Sequence, residues 1–94
     1  MKAVIGVEAV GESRFRVTID EGSSRTVHEV IASASDLQRY GPATPAEDVI
    51  RASFEFLLER EPKESILSRF ELSVIQRFFP DYPAAIRERL GSSR

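Results

Sequence analysis

Ninety-four residues carry 13 Lys and Arg against 15 Asp and Glu, a net charge of −2, with 41% hydrophobic and 30% charged side chains. That balance is globular, too apolar for a disordered chain, and the absence of cysteine excludes disulfide staples and thiolate metal sites. A chain of this length makes one domain, residues 1–94, that buries roughly 60–70% of its unfolded surface around one modest core.

The charge is spread evenly. Residues 1–44 hold five basic and six acidic side chains, and residues 45–94 hold eight and nine. Phosphate neutralisation supplies most of the affinity of a nucleic-acid binder, so the lack of a basic segment disfavours that class. No apolar run approaches the roughly 20 residues needed to cross a bilayer. The N-terminal stretch from Met1 to Val7 is cut short by Glu8 and has no small-residue cleavage site. A soluble, cytoplasmic protein without a membrane partner is expected.

In chain order, the first third reads as a three-stranded antiparallel meander over residues 1–32. Residues 3–10 form a candidate strand with Ile5, Val7 and Ala9 inward, and Gly11, Glu12 and Ser13 supply the turn. The next strand alternates strictly, with Phe15, Val17 and Ile19 on one face and Arg14, Arg16, Thr18 and Asp20 on the other. Residues 21–24 form a loop. A third strand follows over residues 26–32, in which Val27 and Ile31 share the inner face and His28 the outer face or rim. Connections this short force antiparallel neighbours.

After one helical turn around Asp36 to Tyr40, ended by Gly41 and Pro42, the main helix is predicted over residues 45–61. Thr44 offers a capping hydroxyl, Pro45 the first helical position and Glu47 a carboxylate that bonds back to the cap; Pro62 stops the helix. Val49, Ile50, Phe54, Leu57 and Leu58 form its apolar face, and Phe56 points aside and requires its own contact. Residues 62–90 read as a cluster of two to three short helices: 62–69, 72–79, and one from Tyr82 or Pro83 to Leu90 capped by Asp81. A frayed tail follows at 91–94. The fold class is α+β.

Three functional readings follow from particular residues. Five of six phenylalanines lie after residue 50, and Phe78, Phe79 and Tyr82 crowd three aromatics around Pro80. Exposed aromatics mark partner surfaces, so a protein-interaction or regulatory module is expected. It would use Phe56, Phe78, Phe79 and Tyr82, or the free edge of the first or third strand, with a protein partner or with a second copy as a homodimer. The alternative is a DNA-binding antitoxin or repressor. Residues 63–79 outline a helix-turn-helix, with Arg69, Ser73, Gln76 and Arg77 as its contact residues. A third option is a small enzyme or ligand binder around His28 that recruits Asp36, Arg39 or Tyr40. The single histidine has no second imidazole or thiol beside it, and no glycine-rich phosphate loop or nucleophile elbow is present. Catalytic residues, a metal site and a cofactor are therefore not assigned.

The stretch from Ser53 to Leu67 and the run Phe78, Phe79, Pro80, Asp81, Tyr82 resemble a group of small bacterial proteins of unknown function, over most of the chain. That resemblance implies no activity, cofactor or site residue. A more distant one is to Hic-type antitoxins, which set a β-meander before a helix opened by a Thr-x-x-Glu cap, as Thr44 to Glu47 would do here. The glycine-containing loop of that family is replaced by residues 33–41.

Overall fold

The alternating second strand dictates the architecture: its three inward side chains need a cover, and the amphipathic helix that follows the meander supplies it. In the computed structural model, which describes residues 3–91, the sheet runs β1 (Val4–Gly11), β2 (Arg14–Asp20), β3 (Arg25–Ile31) and β4 (Arg69–Glu71), in that spatial order. The first three strands pair antiparallel as the sequence predicts. The fourth is an addition. It pairs parallel with β3, matching Val30 to Phe70, and so covers one end of the edge that the sequence reading left free; the edge of β1 has no neighbour among the described residues.

Four helices accompany the sheet: α1 (Ala34–Tyr40), α2 (Ala46–Leu58), α3 (Val74–Phe78) and α4 (Tyr82–Gly91). Helix α2 is shorter than the predicted 45–61 and opens differently. The Thr44 hydroxyl donates to the Pro42 carbonyl at 3.3 Å, and no side chain caps the helix. The cap pattern that carried the Hic-type likeness is thus present in sequence but not made as a bond. Between α1 and α2 the backbone passes close at Gly41, where a Cβ would fall 2.4 Å from Val49 Cγ2 and 3.0 Å from Leu90 Cδ1. Of the predicted tail, Gly91 ends α4 and residues 92–94 lie outside the described ones.

Helix α2 is buried on two sides. Phe54 faces the sheet, with its ring 5.5 Å from that of His28 and 5.9 Å from that of Phe70. Phe56, about 200° further round the helix, faces the C-terminal helices, 5.3 Å from the Tyr82 ring and 5.9 Å from that of Phe79. The Arg60 guanidinium caps its other side at 3.6 Å. That is the separate contact Phe56 requires.

The third strand is inverted relative to the sequence reading. Val17 opposes His28 and Phe15 opposes Val30, so His28 and Val30 face inward and Val27 is half exposed on the outer face. The cause is the loop at residues 21–24. It is a tight turn closed by the Glu21 N–H to the Ser24 carbonyl at 2.9 Å, with Gly22 at φ 90° and its N–H bonded to Asp20 Oδ1. The pairing it sets matches odd-numbered residues of β2 with even-numbered residues of β3, and register fixes which face each side chain takes.

Residues 62–72 depart most from expectation. In place of a helix there is one 3-10 turn (Lys63–Ser65), an extended passage through Ile66 to Ser68, and β4. Lys63 is buried at 2% exposure, its ammonium held by Glu21 Oε1 at 2.8 Å, by Ser24 Oγ at 2.6 Å and by the Glu64 carboxylate. His28 takes the next hold. Its Nδ1 donates to the Leu67 carbonyl at 2.8 Å, which fixes the proton on Nδ1 and leaves Nε2 to accept from the Thr26 hydroxyl at 2.9 Å.

His28→Ala should lower unfolding free energy by about 2–4 kcal/mol, since it strands the Leu67 carbonyl and opens a cavity beneath Phe54; denaturant titration measures the difference. The bonds to Glu21 and Glu64 raise the Lys63 pKa above its ordinary 10.5. A raised pKa gives stability that is complete below the unfolded value and is lost as pH rises through the folded one. The stability gap between the wild type and Lys63→Met should therefore be constant near neutrality and shrink above about pH 10.5, as urea melts across that range would record.

Candidate functional site

Residues 65–67, β4 and α3 wrap around the C-terminal end of α2 and leave a concavity between them. It is a groove of about 380 Å³ whose walls are apolar apart from Ser65 and Glu61. Leu57 comes from α2, Ile66 and Leu67 from the extended passage, Phe70 from β4, and Val74, Ile75 and Phe78 from α3. Two apolar wall residues are not covered: Leu67 is 50% exposed and Phe78 65%. The remaining large exposed hydrophobics among the described residues, Val4 and Val27, stand on the sheet. The reason is local geometry. Ile66 and Leu67 lie in extended chain, so their side chains diverge, Ile66 into the core and Leu67 out. Phe78 and Phe79 sit at the C-terminal end of a five-residue helix; Phe79 turns back to Phe56 and Phe78 projects.

The aromatic quartet foreseen as a surface is therefore divided. Phe78 and Phe79 line the groove. Phe56 and Tyr82 are fully buried and present no surface, because each already fills the space between α2 and α4. The Tyr82 hydroxyl donates to Ser53 Oγ at 2.7 Å, whose own hydrogen goes to the Val49 carbonyl at 2.7 Å. Burial pushes the Tyr82 phenol pKa upward, so it stays neutral. Leu67 and Val74 also line the groove, though the sequence reading does not single them out. For Leu67 the signal was the adjacent apolar pair Ile66 and Leu67, since neighbours in extended chain cannot both point inward.

The other predicted sets are also sorted. Residues 63–79 do not form two helices joined by a turn: the first half is a turn and a strand, and α3 has only five residues. Arg69 stands on the outer face of the sheet, where the registers align Glu8, Arg16, Glu29 and Arg69 across all four strands. Ion pairs link Arg16 to Glu8 at 3.1 Å and Arg69 to Glu29 at 3.6 Å. Ser73, Gln76 and Arg77 are brought together elsewhere, around a shallow hollow of about 330 Å³ that they share with Arg39. His28 is not joined to Asp36, Arg39 or Tyr40. The depression where it reaches the surface is lined by Val10, Arg14, Arg16, Val27, Glu29 and Ser68, and Tyr40 is buried, donating to Gln76 Oε1 at 2.7 Å. Among the described residues no group of three or more His, Cys, Asp or Glu could hold a metal ion, and no helix is long and apolar enough to cross a membrane.

No family model, curated protein or solved structure matches this chain.

Phe56 and Phe78 should separate in mutagenesis. Phe56→Ala is expected to destabilise by about 3–5 kcal/mol as a large core deletion, whereas Phe78→Ser should stay within about 0.5 kcal/mol of wild type because its ring is mostly in water; paired thermal melts give the comparison.

Proposed function

We propose that this protein is an interaction module and that the groove between α2, residues 65–67 and α3 receives apolar side chains of a protein partner. The observation that carries the reading is the convergence of Leu67 and Phe78, both at least half exposed, on the rim of one apolar concavity. Exposed apolar surface gathered around a concavity is the usual form of a protein-binding patch. A groove of this volume takes one or two large side chains, in the manner of an anchor entering a pocket. Its rigidity supports the same reading. The floor residues Ile66, Phe70 and Ile75 are buried, and the passage above them is tied down by the His28 bond to Leu67, so little ordering would be required on binding.

A pull-down with tagged protein tests this. The wild type should recover a protein at near-equal stoichiometry. Phe78→Asp or Leu67→Asp should lose it while keeping the wild-type circular dichroism spectrum. Recovery of the same partner by both variants would place binding on another surface and overturn the proposal.

A further inference from the structure

The arginines of this chain are unequally committed. Arg14, Arg16, Arg25, Arg51, Arg60, Arg69 and Arg89 each form an ion pair with a carboxylate. Among the described residues Arg39, Arg77 and Arg87 have no such partner, and all three lie at one corner. Arg39 and Arg77 line the hollow beside α3, and Arg87 donates from Nε and Nη2 to the Arg39 carbonyl at 3.3 and 3.1 Å. That bond caps the end of α1 and keeps a third positive charge beside the other two.

The other walls of the hollow also present donors. Gln76 Oε1 is occupied by the Tyr40 hydroxyl at 2.7 Å, which leaves the amide NH₂ as the free end of that side chain. Ser73 adds a hydroxyl, and no carboxylate lines the hollow. Two guanidinium groups, an amide NH₂ and a hydroxyl around one depression match a group that only accepts, as a carboxylate does.

The hollow and the apolar groove share α3. Val74, Ile75 and Phe78 face the groove while Ser73, Gln76 and Arg77 face the hollow. Five helical residues span about 7.5 Å, so a segment whose apolar side chain rests on Phe78 brings its neighbours over Arg77. Resting on the interaction reading above, we infer that the partner segment is acidic: an apolar anchor enters the groove, and Asp or Glu residues flanking it cross α3 to Arg39 and Arg77. A nucleic-acid occupant is disfavoured by the overall charge of −2 and by the apolar surface that adjoins the hollow.

The test uses labelled peptides that share one Leu- and Phe-containing anchor and carry a run of Glu, of Gln or of Lys on one side, with a DNA duplex as a fourth probe. Fluorescence anisotropy is read at low and high salt. The Glu peptide should bind about tenfold more tightly than the Gln peptide, from two charge-assisted contacts, and the Lys peptide should bind most weakly. Salt and the double substitution Arg39→Gln with Arg77→Gln should each remove the Glu advantage. Phe78→Ser should weaken all three peptides. If Glu and Gln peptides bind alike while Phe78→Ser weakens both, the groove reading stands and the acidic one is overturned. If no peptide binds, both fall. Binding of the duplex alone, lost in the double arginine variant, would reassign the hollow to phosphate.

Discussion

Residues 62–72 must return across the open side of β3, and their landing place is set by two buried polar anchors more than by the ladder they form. Three residue pairs of a parallel ladder are a weak hold. Lys63 and His28 reinforce it. The first draws the start of the passage onto the β2–β3 loop through Glu21 and Ser24, and the second bonds the Leu67 carbonyl, 39 residues along the chain. Both groups are costly to bury unless every polar atom finds a partner, so each favours one path for the backbone over its neighbours. That path sends Leu67 outward and Phe70 inward, and it aims α3 so that Phe78 projects over the groove.

A second polar chain fixes the helices to one another. Ser53 of α2 takes the Tyr82 hydroxyl of α4, the Tyr82 and Tyr40 rings pack at a tilt with centroids 4.8 Å apart, and Tyr40 at the end of α1 donates to Gln76 of α3. Members of all four helices are thereby linked through side chains that are buried or end at the surface. The last link has two roles. It positions α3 and also orients the Gln76 amide, so the corner where the arginines gather is held from behind. Arg60 and Arg89 brace the opposite side, Arg60 to Asp81 at 3.0 Å and Arg89 to Glu59 at 2.7 Å.

Much of this was legible in the sequence and some was not, for identifiable reasons. The strict alternation of β2 and the breadth of the α2 apolar face gave both elements, because period and burial agree there. In β3 two readings of the face compete, Val27 with Ile31 against His28 with Val30, and hydropathy favours the wrong one. The pairing set by the loop at 21–24 decides it. The strand β4 was missed although Arg69, Phe70, Glu71 and Leu72 alternate, since three residues are too few for a period to stand out from a short helix. The aromatic cluster pointed to the region where the groove lies but could not be divided into Phe78 outside and Phe56 and Tyr82 inside, a distinction made by α4 packing on α2. Arg39 and Arg77 are 38 positions apart, and only the tertiary fold puts them at one hollow.

The parallel strand also bears on how the chain comes off the ribosome. Synthesis delivers the meander first, with the side chains of Phe15, Val17 and Ile19 bare on one face and both lateral edges open to any extended polypeptide nearby. The imidazole of His28 then waits, its Nδ1 hydrogen unmatched by the carbonyl it will bond, until Leu67 has been added. Arrival of α2 shields the bare face, but it does nothing for the side of β3, which closes only when residues 69–71 emerge. The 37 residues that separate Ile31 from Arg69 are therefore made while the nascent sheet has no protected margin.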